Sequence, residues 1–260
     1  MSLNERRIKA KIGRLTRDVS IFTYKTIDST NTQAKIYAES GRSECAAFIA
    51  SEQTAGRGRL GRSFISETGK GLYLSILVGG GSSSDFAVSL TTYMAVIASR
   101  AIETHSSVKT QIKWVNDIYA GGKKLAGILT EGKSANDGES LSYAVVGIGI
   151  NLLKQSFTDE VRAIATTVED ECGERVDVNS LAACIIREFF ENLHLAGSVV
   201  IADEYRSRSF LIGETVNVIK PSGEYTALVT DITDRCELVL TLEDGTGEIL
   251  STGEVSVRKR

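Results

Sequence analysis

From Phe22 onward the chain alternates segments that read as strands with segments that read as helices, which fits an α/β or α+β domain and not a bundle or an all-β sandwich. The strand-like runs are apolar and β-branched and fall at 46–50, 71–78, 111–114, 125–130 and 143–150. Between them, residues 85–103 place Phe86, Leu90, Tyr93, Met94, Ile97 and Ala101 on one helical face, and Ser82, Ser83, Ser84 and Asp85 offer caps. A second helix is expected over about 180–196, where Leu181, Ile185, Phe189 and Leu193 recur at helical spacing until Gly197. Weaker helical patterns begin at Ser29-Thr30-Asn31, stopping at Gly41, and cover about 158–169. The expectation is a central mixed sheet with flanking helices.

After Arg208 the pattern changes. Short strands are expected at 214–220, 224–233, 237–242 and 254–258, separated by the turn formers Pro221-Ser222-Gly223, Asp234-Arg235 and Asp244-Gly245. This reads as a small β-barrel at 209–260 behind a larger domain at 1–208. About 50 residues make a marginal independent domain, so the barrel should dock on the larger one.

Composition removes several function classes. No apolar run approaches the ~20 residues needed to cross a bilayer, so no membrane association is expected. The start, residues 1–17, is basic but lacks the apolar core of a secretory signal, and a cytoplasmic protein is expected. Cys45, Cys172, Cys184 and Cys236 lie far apart with no paired spacing, which indicates neither a zinc site nor a disulfide framework. Only His105 and His194 are available for a histidine-based triad, and neither sits near a nucleophile signature, so chemistry falls to lysine and arginine. A net charge of −3 argues against a general nucleic-acid binder and leaves only local basic segments.

One such segment is Gly56-Arg57-Gly58-Arg59-Leu60-Gly61-Arg62, following Gln53. Glycines alternating with arginines give free backbone N–H groups beside fixed positive charge, which suits a ligand carrying carboxylate and phosphate. A solvated basic turn or a nucleic-acid-contacting tract has the same look, and a P-loop is excluded because no Gly-Lys-Ser/Thr ending follows. A second segment runs Lys113-Trp114-Val115-Asn116-Asp117, then Gly121-Gly122, then Lys123-Lys124-Leu125-Ala126-Gly127. It reads as a strand that ends on an Asn-Asp pair, a glycine turn, and a lysine at the start of the returning strand. That arrangement serves either a sugar, base or phosphate ligand or a plain polar hairpin tip. The third segment, Gly147-Ile148-Gly149-Ile150-Asn151, lacks the third glycine of a dinucleotide fingerprint. Glycines inside an apolar strand mark close approach of a ligand or of a crossing helix.

Asp28-Ser29-Thr30-Asn31, the GRGRLGR loop, the Lys-Trp-x-Asn-Asp segment with its downstream KLAGIL, and GIGIN occur together in an order that resembles the biotin–protein ligase family. The resemblance covers roughly 22–151, and the C-terminal barrel looks like the SH3-like domain that follows the catalytic domain in that family. It implies an enzyme that joins biotin to AMP from Mg-ATP and transfers it to a lysine of a biotin carboxyl carrier protein. By similarity, Ser29, Thr30, Asn31 and Gln53 line the biotin head, Gly147 and Gly149 flank its apolar part, and Arg57, Gly58 and Arg59 close over the biotin carboxylate and the adenylate phosphate. Lys124 matches the lysine beside the carboxyl and α-phosphate, with Arg59 and Asp117 as its catalytic companions. Arg62, Phe64, Asn116 and Asn151 match positions around the nucleotide, and Mg²⁺ is expected to arrive with ATP and not in a protein cage.

Two positions depart from the family pattern. Val115 stands where proline is usual, which leaves the backbone ahead of Asn116 less restricted, and Phe64 stands near where the family often offers tryptophan to adenine. No room precedes Phe22 for a winged-helix DNA-binding domain, so no DNA partner is expected; a homodimer is compatible with the pattern. The competing readings are a lipoate or octanoate ligase of the same superfamily and a module that holds biotin without transferring it.

Overall fold

Seven strands pair into one sheet: β1 (Ser20–Tyr24), β2 (Ala46–Ala50), β3 (Gly71–Gly79), β4 (Gln111–Lys113), β5 (Asp117–Ala120), β6 (Lys123–Ser134) and β7 (Leu141–Asn151); the apolar runs β2, β3 and β7 are buried on both faces, and the remaining strands are only partly covered. The computed structural model describes residues 2–42, 44–61, 64, 67–80, 84–136, 140–220, 223–251 and 256–259. The strand order is β1-β2-β3-β7-β6-β5-β4, with β1 and β2 parallel and the other recorded pairs antiparallel. The mixed sheet expected from the sequence is therefore present. The parallel pair requires a crossover.

The helices are α1 (Glu5–Ile12), α2 (Thr30–Glu39), α3 (Ser84–His105), α4 (Asp159–Ile164), α5 (Val168–Cys172), α6 (Val178–Glu191) and α7 (Val199–Arg208). α2 supplies the crossover between β1 and β2 and covers one face of the sheet with Ala34 and Tyr37 against Phe22, Phe48, Leu77 and Val145. On the other face, Leu72, Leu74 and Ile76 join the large core built with Tyr93, Ile97, Ile185 and Phe189 of α3 and α6. Because side chains alternate along a strand, the α2 face receives a fixed set of residues from the three central strands. The register aligns Tyr73, Gly149 and Gly127 in one row, Ser75, Gly147 and Leu129 in the next, and Leu77, Val145 and Glu131 in a third. These rows form the floor of the site described below.

The helix expected over 158–169 is divided into α4 and α5. Between them Ala165 bridges to Lys124, Thr166 donates its N–H to the Lys124 carbonyl at 2.9 Å, and Thr167 caps α5 through Asp170 N. A backbone hydrogen bond to a sheet edge competes successfully with two more turns of helix. The helix expected to reach Ala196 ends at Glu191, and a 3-10 turn, Leu193–Leu195, carries the chain to Gly197. α1 and α7 were not legible as helices: α1 buries only Ile8 and Ile12, and α7 opens on the exposed pair Val199 and Val200.

Beyond α7 lie β8 (Thr215–Lys220), β9 (Gly223–Ile232), β10 (Leu238–Leu242), β11 (Gly247–Leu250) and β12 (Ser256–Lys259), an antiparallel sheet ordered β11-β10-β9-β8-β12. β11 was not among the expected strands. Residues 221, 222, 254 and 255 of the expected turn and final strand lie outside the described residues. Val216, Val218, Val229, Leu238 and Leu240 belong to the same apolar cluster as the main core, which agrees with a docked C-terminal unit. Polar contacts reinforce this docking. Arg206 of α7, steadied by Asp203 of the same helix, pairs with Asp231 and Asp234 and donates to the Ile232 carbonyl, while the Trp114 indole donates to the Cys236 carbonyl at 2.8 Å.

Candidate active site

The glycine-arginine segment leaves β2 and is anchored at both ends. Gln53 bridges to Ile27, Thr54 and Ala55 donate to the carbonyls of Ile27 and Asp28, and Phe64 N returns to the Gly56 carbonyl at 3.0 Å. Gly56 and Phe64 are thereby held together beside the start of α2. Gly61 holds a φ of +72°, a conformation that side chains rarely adopt. Arg59 begins a short 3-10 turn, Arg59–Gly61.

A polar pocket lies between this loop, the first turn of α2 and the sheet rows. Its lining includes Ser29, Thr30, Asn31, Gln53, Arg57 and Phe64, above Gly127, Leu129, Gly147 and Gly149. Gln53 Oε1 accepts from both Thr30 N at 2.8 Å and Thr30 Oγ1 at 3.0 Å. The Ser75 hydroxyl lies 2.7 Å from Thr30 Oγ1 and 2.6 Å from Asn31 Oδ1. Asn31 Nδ2 donates to Glu131 Oε2 at 2.9 Å and to the Leu129 carbonyl at 3.2 Å. Ser29 occupies the N-cap of α2 without making a capping bond, which leaves its hydroxyl to the pocket.

Both expected glycines are required by close approach. A Cβ on Gly147 would stand 2.0 Å from Asn31 Oδ1, and one on Gly149 would stand 2.6 Å from a Phe64 ring carbon. Phe64, expected near a nucleotide base, packs on Gly149 and Gly127 over the pocket and leaves a cavity of about 30 Å³. That space holds on the order of one or two waters, so the ring must move before a bicyclic acid can enter.

The charged end of the site is built by β5 and β6. Here the structure revises the expected hairpin: β4 ends at Lys113, residues 114–116 form a turn with a cis Trp114–Val115 peptide, and Asp117 opens β5 instead of ending the preceding strand. Asn116 is held despite Val115, with Nδ2 donating to the Ile128 carbonyl at 2.8 Å and Oδ1 accepting from Arg59 Nη1 at 3.1 Å. Buried Tyr205 fixes the same turn by donating to the Val115 carbonyl at 3.0 Å. Asp117 Oδ1 lies 2.6 Å from Lys124 Nζ. Burial together with the Asp117 charge pushes the Tyr119 hydroxyl up to about 12, so it is a neutral hydrogen-bonding group at pH 7.

The two ends meet at Gly127, where an added Cβ would lie 3.1 Å from Lys124 Nζ and 3.4 Å from Phe64. The loop, the amine and the polar pocket thus converge on one elongated site. Asn151 does not line that pocket: its Nδ2 donates to the Thr166 carbonyl and its Oδ1 accepts from Gln155, so it braces the segment behind Lys124. Arg62 lies outside the described residues, and Gly58 sits in the loop between Arg57 and Arg59. Ser75, Leu129 and Glu131 were missed. The available signal was period two, since 127, 129 and 131 share a face with the glycines of the neighbouring strand.

Glu131 gathers the cations of this wall. Arg57 Nη2 lies 2.6 Å from each of its oxygens, and Lys35 Nζ lies 3.0 Å from Oε1. Burial alone would raise its pKa, but the hydrogen bonds from Asn31, Lys35 and Arg57 outweigh that and hold it below the usual carboxylate range.

Comparison with known proteins places this geometry in context. The profile of the Biotin/lipoate A/B protein ligase family matches residues 23–151, and that of the Biotin protein ligase C terminal domain matches residues 211–258. The chain is 30% identical over 263 residues to the bifunctional ligase/repressor BirA of Bacillus spizizenii, covering 94% of this chain and 80% of that protein. It is 30% identical over 265 residues to the biotin–[acetyl-CoA-carboxylase] ligase of Mycobacterium tuberculosis, covering 98% and 93% of the two. A biotin protein ligase from Aquifex aeolicus, solved in complex with biotin and ATP, superposes with a TM-score of 0.78 at 26% identity, over 93% of this chain and 99% of that one.

Proposed function

The chain belongs to the biotin/lipoate A/B protein ligase family, and from that premise we propose that it is an ATP-dependent ligase that joins biotin to a lysine of a biotin carboxyl carrier protein. The observation that carries this reading is the convergence of a polar pocket and a cationic end at Gly127. A ureido ring needs donors and acceptors, and the Ser29, Thr30, Asn31 and Gln53 cluster offers both. A flexible acid side chain then extends along Gly147 and Gly149 toward the amine of Lys124.

In the first step a biotin carboxylate oxygen attacks the α-phosphorus of ATP and pyrophosphate departs. Two anions must approach, and fixed positive charge that is already oriented stabilises the crowded transition state most. Lys124, held by Asp117, and Arg59, held by Asn116, are assigned that role. Mg²⁺ brought with ATP would add charge neutralisation at the phosphates. Asp117 is a carboxylate suited to face such an ion, and the described residues contain no cluster of three or more His, Cys, Asp or Glu that would cage one. In the second step the acceptor ε-amine attacks the anhydride carbonyl, an amide bond forms, and AMP leaves with the bonding electrons. Phe64, which packs on Gly149 in this structure, is assigned the role of covering the nucleotide and excluding water from the anhydride once it is displaced. We assign catalysis to residues 1–208 and a docked supporting unit to residues 209–260.

The test is to incubate the protein with ATP, Mg²⁺, a biotin carboxyl carrier domain and either biotin or lipoate, and to weigh the acceptor. A mass gain of one biotinyl group on one lysine is expected. A lipoyl gain, or none with biotin, would overturn the proposal.

A further inference from the structure

Among the groups around the pocket, Glu131 stands out because an acid beside an anion-binding site is unfavourable unless it serves the fold. It follows Gly127 and Leu129 on the floor of the site, and its row places it at the foot of α2 opposite Val145. Three side chains from two elements converge on it. Asn31 comes from the first turn of α2, Lys35 from the next turn, and Arg57 from the glycine-arginine loop. Lys35 and Glu131 are largely covered, with side chains 28% and 24% exposed, whereas Arg57 is 43% exposed at the loop's outer edge.

Resting on the ligase reading above, we propose that Glu131 is a positioning residue whose carboxylate captures the Arg57 guanidinium and seats the glycine-arginine loop beside Asn31. Arg57 is thereby a latch for the loop, and the charge that meets the ligand carboxylate comes from Lys124 and Arg59. Four features support this division of roles. Arg57 Nη2 straddles both oxygens of Glu131, a charge-assisted contact. The same carboxylate orients the Asn31 amide, so its Oδ1 faces Ser75 and Gly147 in a fixed sense. The loop is pinned at Gly56 and Phe64 and Arg59 reaches Asn116, so Arg57 is the residue that ties this segment to α2 and the sheet floor at Glu131. Lys124, by contrast, approaches the opposite end of the floor at Gly127.

Glu131→Gln tests the proposal in two ways. Without ligand, trypsin should cut after Arg59 about fivefold faster than in the parent, with cleavage located by mass spectrometry. With biotin alone, the dissociation rate should rise by about the same factor. Arg57→Ala should produce both effects by itself, and adding Glu131→Gln to it should change neither further. Lys35→Ala, which removes a second cation from the same carboxylate without touching the loop, should leave cleavage after Arg59 at the parental rate. Unchanged cleavage in Glu131→Gln would overturn the proposal. So would a full Glu131→Gln effect persisting in the Arg57→Ala background, which would mark direct ligand contact, or equal loosening by Lys35→Ala. The proteolysis arm needs no biotin, so failure of the parent protein to bind biotin would refute the ligase reading and leave the latch still decided.

Discussion

Gly147→Ala probes the site through one atom. The added methyl would lie 2.0 Å from Asn31 Oδ1 and 2.8 Å from Asn31 Cγ, well inside van der Waals contact. The Asn31 carboxamide must retreat by about an ångström or more to restore contact. It cannot do so freely, because Ser75 holds Oδ1 at 2.6 Å while Glu131 and the Leu129 carbonyl hold Nδ2 at 2.9 and 3.2 Å. Neutral hydrogen bonds contribute about 0.5–1.5 kcal/mol each and those to charged groups about 1.5–3 kcal/mol, so losing most of this set costs roughly 2–4 kcal/mol. For a chain of this size that lowers Tm by about 5–15 °C. Calorimetric unfolding measures the loss, and biotin titration measures the accompanying fall in affinity. In an Asn31→Ala background the clash is absent, so Gly147→Ala should there be nearly neutral, a coupling that independent sites do not show. Gly132→Ala, whose methyl would meet the flexible end of Leu141 at 3.3 Å and the Tyr143 carbonyl at an ordinary 3.7 Å, serves as the comparison. Additive losses from Gly147→Ala and Asn31→Ala would refute the argument.

Lys124→Ala should slow biotin-dependent pyrophosphate exchange by roughly 100-fold or more while weakening biotin binding far less, because its charge matters most as phosphate charge builds; equal losses in the two assays would contradict its role. Tyr205→Phe leaves the Val115 carbonyl without its buried donor and should cost about 1–3 kcal/mol in denaturant unfolding. It should also raise KM for ATP more than KM for biotin, since the turn carries Asn116 and Asp117; an unchanged KM for ATP would separate the turn from nucleotide binding. Folded Glu131 titrates below the ordinary value of 4.5, so the unfolded chain takes up that proton first as pH falls. Its contribution is complete above that value and is lost as pH drops through the lower folded pKa, and Glu131→Gln should therefore flatten the acid limb of stability against pH.

Much of the fold was legible because strong periodicity coincided with burial. Ala46–Ala50 is apolar throughout and closed by the polar run from Ser51, and Ser84–His105 carries an apolar face; both formed as expected. The failures have separate physical causes. Thr166 and Thr167 lie in a stretch of helical pattern, yet the Lys124 carbonyl offered a better partner for Thr166 N than another helical turn. The Trp114–Asn116 turn was hidden because its anchors, Tyr205 and Cys236, are distant in sequence. Within the site, motif residues identified the loop, the amine and the two glycines. Glu131 escaped because it lies just past the apolar run 125–130, where an acid looks like a solvated position, and only the register of the longer strand shows it facing Arg57 and Asn31. Asn151 was visible as a motif residue, but its amide is committed to Thr166 and Gln155.

A crystal structure of the protein with a non-hydrolysable sulfamoyl analogue of biotinyl-adenylate bears most directly on the single elongated site. The ureido ring should lie within hydrogen-bond distance of Ser29 and the α2 N-terminus, with the sulfamoyl group against Lys124 Nζ and the Phe64 ring lifted off Gly149. An analogue bound with its ureido ring away from α2, or with its linker out of reach of Lys124, would contradict this arrangement.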